Sequence, residues 1–469
     1  MIRSRLIKFK LTFILTLALV FPPFTGEASI FGEFTISDEA ELGRKVHKLI
    51  QANYKVVQDP EVTSYILEIT EKLQNSAPPQ PFPLQVDVVE HRSLNAFATV
   101  AGYMVLFSGM ILSMETESEI AAIMSHEYAH ITQRHVARNI ERSKKVSIGS
   151  LLGIIAGVLV GADAGGALAV GSMAGAQSAL LSYSREDERE ADQVGLNYMI
   201  RAGYNPQGMV SAMQKIRRLQ FFAGGSIPSY LSTHPGVDER ISYLRNRLQR
   251  LDPEIIERRD DNTRLRRVQT LLRARHEDPS KALSFFADQM EDTCLALLGQ
   301  GIANSRMNRI NEARQNFSRL LECDNNDSLF LREAGRFYFQ YGQLDQAGEL
   351  LQKAVMLNPD DTIALLFYAR VLSEKGHESN AIDYFGRVLE RLPENPDAHE
   401  HLARTYGLKG DNFMAHLHMA FAHLYNNERT RAEFHRARVK ELAVNHEQKE
   451  LIKDLEEAYE ERSQFWKKS

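Results

Sequence analysis

His126-Glu127-Tyr128-Ala129-His130 has a spacing that hydrolytic chemistry requires. On a helix, residues four apart share a face, so both imidazoles can bind one metal ion while Glu127 reaches a water in the metal's open position. Zinc would lower the pKa of that water toward neutrality, and Glu127 could take its remaining proton and return it to a leaving amine. Two solvated or core histidines on an ordinary helix are the bland alternative. A single zinc ion per chain also needs a third protein ligand, best supplied from a second helix. The run Ser184-Arg185-Glu186-Asp187-Glu188-Arg189-Glu190-Ala191-Asp192 offers one. Glu188 and Asp192 share a face, so one could bind metal while the other hydrogen-bonds a ligand imidazole and fixes its tautomer. Spacing leaves Glu186 and Glu190 as competitors, and without the histidines this run reads as a solvated helix face.

Two helices must position these groups. Thr116 and Glu119 form a capping box ahead of Ile120, Ile123, Met124 and Ile131, which give the first helix an apolar face. Val194, Leu196, Tyr198, Met199 and Ile200 give the second helix its inner side.

His126 to His130, followed by Glu188-Arg189-Glu190-Ala191-Asp192, resembles the zinc metallopeptidase family of the HtpX and CAAX-prenyl endopeptidases. The resemblance implies His126, His130 and Glu188 as metal ligands, Glu127 as general base and Asp192 as the residue that orients a ligand. Two further segments are similar to that family. Asn95-Ala96-Phe97-Ala98, then Gly102 and a strand over 103–107, resembles its edge strand, which could bind extended, unfolded substrates by main-chain hydrogen bonds. An interior strand is the alternative for 103–107. Ser232-Thr233-His234-Pro235 with Asp238-Glu239-Arg240-Ile241 resembles its late His-Pro segment. His234 could donate to an oxyanion and so assist catalysis, or bind zinc directly, displace the water and hold the enzyme latent. It could also be an ordinary surface histidine.

Arg3, Arg5, Lys8 and Lys10 precede an apolar run over 11–20, and Gly26-Glu27-Ala28 ends in a small residue, so residues 1–28 read as a removed export signal. An uncleaved anchor is the alternative. Removal takes the formal charge from −5 to about −8, and the Arg-rich stretch over 240–275 is interleaved with acids, which argues against nucleic acid as a partner. The segment from Val146 to Tyr183 is apolar and Gly-rich, with Asp163 its only charge. It reads as two short helices beside the site or in peripheral contact with a membrane surface, with a membrane hairpin as the alternative.

From about residue 260 the chain becomes a helical repeat. Ala313, Ala347, Ala381 and Ala415 recur every 34 residues, Gly342, Gly376 and Gly410 fall in the turns, and Pro359 and Pro393 close helices. This is the tetratricopeptide pattern, with repeats starting near Cys294, Ser328, Thr362 and Pro396 and flanking helices, including 447–463, as caps. Its stacked surface suits peptides or partner proteins, and a spacer without a ligand is the alternative. The start of a repeat's first helix lies beside the end of its second, so Cys294 and Cys323 are expected to form a disulfide in an oxidising compartment.

The expected fold is therefore mainly α, a small α+β metallopeptidase domain over 29–255 followed by an α-solenoid of repeats over 256–469. The expected function is a periplasmic zinc endopeptidase that cuts unfolded or misassembled proteins. In its order of signal, peptidase and repeats, nearly the whole chain resembles an exported branch of the family with chaperone-like roles in outer-membrane quality control, which implies contact with the outer-membrane assembly machinery through the repeats. A scaffold with a largely latent site and a membrane-integral peptidase are the alternatives.

Overall fold

A computed structural model describes residues 34–142, 183–222, 229–288 and 293–463. The predicted export signal, and all of the apolar insertion except Tyr183, lie outside the described residues.

Two capped helices open the structure. Thr35 and Asp38 form a capping box for α1 (Ile36–Asn53), and Asp59 caps α2 (Pro60–Ser76), whose first residue is a proline that needs no N–H partner. A three-stranded sheet follows, with β1 (Gln85–Val89), β2 (Ala96–Ala98) and β3 (Tyr103–Phe107) in the order β1-β3-β2. β3 pairs in parallel with β1 and antiparallel with β2, across a turn in which Ala101 and Gly102 both have positive φ. The expectation of an edge strand at 103–107 is thereby corrected. That segment is the interior strand, hydrogen-bonded on both sides, and the edges are β1 and β2. A period of two reports which side chains face the core, but not whether one or both backbone ladders are occupied.

α3 (Ser108–Ser113) leads to α4 (Glu117–Thr132), which carries the His-Glu-His motif, and to α5 (His135–Arg142). The Thr116–Glu119 capping box is present, but α4 is not one-sided: it is buried continuously over 118–131. Its polar residues are answered by other elements. Glu119 Oε1 receives Lys215 Nζ at 2.6 Å, and Ser118 donates to Asp260. α6 (Arg185–Arg201) and α7 (Gln207–Phe222) pack on α4 at backbone contact. A Cβ on Gly195 would lie 2.8 Å from the Ser125 carbonyl oxygen, and one on Gly208 2.5 Å from that of Ser118. The short α8 (Ser229–Thr233), α9 (Val237–Leu248) and α10 (Pro253–Ile256) close this part.

α11 (Thr263–His276) joins the two halves, burying Leu265, Val268 and Leu272 in the core around α4 and Leu271 and Ala274 in the core of the first repeats. α12 (Pro279–Asp288) follows, then four helix pairs: α13 (Thr293–Arg306) with α14 (Ile310–Cys323), α15 (Ser328–Gln340) with α16 (Leu344–Leu357), α17 (Thr362–Glu374) with α18 (Glu378–Arg391), and α19 (Pro396–Leu408) with α20 (Asn412–Tyr425). α21 (Arg429–Leu442) and α22 (His446–Ser463) cap the stack. Gly342, Gly376 and Gly410 adopt the left-handed turn conformation, and Asn308 does the same one repeat earlier, with φ 57°. Cys294 and Cys323 form the expected disulfide, their Cα atoms 6.1 Å apart, across the first pair.

Gly195→Ala should cost about 1–3 kcal/mol, because the added methyl meets backbone that cannot yield as a side chain would. An unchanged thermal midpoint would exclude the close α4–α6 approach. Under denaturing, non-reducing conditions neither cysteine should react with maleimide, and reduction should remove about 3–4 kcal/mol of stability.

Candidate active site

α4 presents His126 and His130 with their Nε2 atoms 3.1 Å apart. α6 brings Glu188 against them, Oε1 at 3.3 Å from His130 Nε2 and Oε2 at 3.5 Å from His126 Nε2. His234, in the link between α8 and α9, points Nδ1 at Glu188 Oε1 (2.8 Å) and at His126 Nε2 (3.3 Å). These four donor atoms lie within 4.8 Å of one another, and all four side chains are buried. The competitors are elsewhere. Glu186 is exposed, and Glu190 pairs with His135 and Arg138.

This donor set fits a metal ion. Ligands about 2.0–2.1 Å from a tetrahedral centre stand roughly 3.3–3.5 Å apart, and the separations given above run from 2.8 to 3.5 Å. Without a cation, imidazole lone pairs and a carboxylate would face one another in a dry pocket.

Glu127 lies at the side of this cluster. One carboxylate oxygen accepts the Ala98 N–H of β2 at 3.0 Å. The other, Oε1, is buried with no hydrogen-bond partner among the described residues and lies 3.4 Å from His234 Nε2, which has none either. Burial raises the Glu127 pKa, against the pull of His234 and His126. A carboxylate with one anchored and one unengaged oxygen is suited to moving a proton.

Asp192 Oδ1 sits 3.0 Å from His126 Nδ1, so that nitrogen carries the proton and Nε2 keeps its lone pair. Arg240 clamps the same carboxylate with two bonds, Nε to Oδ2 at 2.8 Å and Nη2 to Oδ1 at 2.7 Å, and also meets Glu188 through Nη1. Burial opposes ionisation of both acids but loses: facing Arg240 first and His126 next, Asp192 falls to about 2, and His234 with Arg240 holds Glu188 well below the usual range. Tyr243 donates to Asp192 as well. Sequence reasoning quoted Arg240 without giving it a role. The available signal was that two buried carboxylates beside neutral imidazoles require a cation.

His135 was also missed. Arg134, at φ 53°, ends α4 and turns the chain so that His135 Nδ1 lies 2.7 Å from His130 Nδ1. If His130 keeps the lone pair on Nε2, its Nδ1–H donates to His135, whose protonated Nε2 then donates to Glu190 at 3.0 Å. Tyr183 stacks on His130 and Tyr230 on His234, with ring centroids 3.6 and 4.3 Å apart.

Residues 57–248 match the model of peptidase family M48, and residues 298–361 match YpiA-like, C-terminal tetratricopeptide repeats. With the buried His-Glu cluster, this match makes the first half of the chain a metalloendopeptidase similar to peptidase family M48. In its order, an M48-like domain followed by tetratricopeptide repeats, the chain is similar to the β-barrel assembly-enhancing proteases. It is 26% identical to that of Escherichia coli over 71% of this chain and 69% of the relative. It is 32% identical to the putative one of Vibrio cholerae over 54% of this chain and 52% of the relative. The metalloprotease LoiP of Escherichia coli is 28% identical over 35% of this chain and 63% of its own length.

Replacing His135 by Phe should weaken zinc affinity about 10–100-fold in competition with a chelator, and His135→Gln should recover part of it. Equal affinity in wild type and His135→Phe would remove His135 from the support of the site.

Proposed function

We propose that this chain is an exported zinc endopeptidase that acts in the periplasm on unfolded or misassembled proteins. In this reading residues 1–28 are its signal, 29–255 its peptidase domain and 256–469 a repeat domain that recruits substrates or the outer-membrane assembly machinery, with a chaperone-like role. The convergence of four buried donor atoms beside a carboxylate with one unengaged oxygen carries the reading. The names of the relatives support the outer-membrane setting. Among the described residues no helix is long and apolar enough to cross a membrane.

His126, His130 and Glu188 hold the metal, and Asp192, braced by Arg240, orients His126. Zinc bound there supplies a Lewis acid that acidifies water and polarises the scissile carbonyl. Glu127 takes the proton of the attacking water on Oε1 and delivers it to the leaving amine. β2 offers the substrate a place. As an edge of the sheet it can add an extended peptide, and its Ala98 N–H turns away from β3 toward Glu127, so the added chain lies along the base.

Of the two roles open to His234, the geometry favours closure. Its Nδ1 lies 2.8 Å from Glu188 Oε1 and 3.3 Å from His126 Nε2, so it can complete a four-ligand set and hold the site latent. Pro235 and Gly236, the latter at φ 81°, separate it from α9 and give the link a place to hinge. The closed set and the large repeat domain also favour, as a second reading, a scaffold that seldom turns over.

Glu127→Gln should retain stoichiometric zinc and lose casein cleavage by about 100-fold or more. Glu188→Ala should lose the zinc, and His234→Ala should cleave faster than wild type. Zinc retained by Glu188→Ala would overturn the ligand set, slower cleavage by His234→Ala would assign it to the oxyanion, and full cellular activity of Glu127→Gln would favour the scaffold.

A further inference from the structure

Among the described residues four other than glycine have a left-handed backbone: Ala101 at φ 59°, Arg134 at 53°, Asn308 at 57° and Asn427 at 59°. For asparagine this is ordinary. For alanine or arginine the Cβ crowds the following carbonyl, a roughly ten-fold population penalty that the surroundings must overcome. Both of these residues turn the chain beside the metal cluster. Ala101 and Gly102 reverse β2 into β3, and so set the edge strand whose Ala98 N–H meets Glu127. Arg134 reverses the end of α4, and so sets His135 against His130.

One carboxylate holds both turns. Glu39 of α1, 4% exposed, accepts the Ala101 N–H on Oε1 at 3.3 Å, and on Oε2 it accepts Arg134 Nε at 3.1 Å and Nη2 at 2.9 Å. The rest of α1 fixes where that carboxylate sits. One turn on, Gly43 lets the helix lie directly on the β2–β3 turn: a Cβ there would stand 2.5 Å from that of Ala101 and 3.1 Å from the Val100 carbonyl oxygen. One turn further, His47 packs its ring on Tyr103 of β3, centroids 4.4 Å apart, and its Nε2 lies 2.6 Å from Asp87 Oδ2 of β1. Residues 39, 43 and 47 are four apart and share one face. α1 ends before residues 57–248, which match the peptidase family, so this face comes from outside the segment that carries the metal chemistry.

We propose that Glu39 is a positioning residue of the active site: by bridging Ala101 and Arg134 it holds the substrate edge and the His135–His130 contact in place together. The substrate half rests on the peptidase reading above, whereas the His135 half requires only a bound metal. Loosening a turn lowers the fraction of molecules in the competent arrangement, and apparent affinity falls in proportion. The two losses are separable, since Ala101 serves the edge and Arg134 serves the metal.

Zinc affinity in competition with a chelator, and kcat and KM for fluorescein-labelled casein at saturating zinc, test this on the full-length chain. Glu39→Gln, whose single oxygen can answer only one turn at a time, should weaken zinc about 3–10-fold and raise KM about 3–10-fold, with kcat within about two-fold. Adding Arg134→Gly, unstrained in that conformation, should restore zinc affinity and leave KM raised. Adding Ala101→Gly should restore KM and leave zinc weak. Glu39→Asp keeps the charge but is too short to span both turns, so it should show the same pair of losses, and it replaces Glu39→Gln if that variant does not fold. Unchanged zinc affinity and KM, a fall in kcat alone, or recovery of both properties by either glycine would overturn the proposal, the last because it marks a general loss of stability. A wild type that binds zinc yet leaves casein whole would sink the peptidase reading instead, and the zinc half of the comparison would still decide the role of Glu39.

Discussion

The site depends on how closely α6 can lie against α4. Glu188, Asp192, Gly195 and Met199 form one stripe along α6, and the missing side chain at Gly195 lets that stripe meet the backbone of Ser125 and His126 directly. Any larger residue would lift both carboxylates away from the two imidazoles. The approach has an electrostatic cost, since it dehydrates Glu188 and Asp192, which are 1% and 0% exposed. Arg240 offsets it by pairing with both. Buried ion pairs of this kind hold geometry more than they add stability, and removing one partner leaves the other charge stranded.

What could be read in the sequence was whatever one stretch of chain decides for itself. The His-Glu-His spacing, the capping box at Thr116 and the 34-residue rhythm of turns and small residues are local patterns with local causes. Even Asn308, which breaks the glycine series, keeps the conformation its position in the repeat demands. What could not be read was set by packing across the chain. Arg240 looked like one more cation on a charged helix, and His135 acquires its contact with His130 only because Arg134 reverses the backbone. α4 looked one-sided because its Ser, Ala and Glu positions read as solvent-facing, until partners distant in sequence covered them. The interior place of β3 was hidden because hydrogen-bond ladders leave no mark on side-chain alternation.

The two halves are joined by more than a shared helix. Arg332, 1% exposed, holds Asp59 at 2.9 Å and Asp361 at 3.1 Å, and these acids are the N-caps of α2 and α17. Arg267 does the same on a smaller scale, bonding Glu61 in the first turn of α2 and Asp327, the N-cap of α15. Helix starts in the peptidase and in the repeats are thus satisfied by the same guanidinium groups, which fixes α15 and α17 in a set orientation to α2.

The disulfide between Cys294 and Cys323 falls in the first helix pair, the one nearest the peptidase. In a stack where each unit leans only on its neighbours, fraying starts at a free end and travels inward. A covalent stitch at the root would halt that unzipping before it reaches α11, and at the far end Lys48 of α1 pairs with Glu461 of α22, so the stack is moored to the hydrolytic half at both ends.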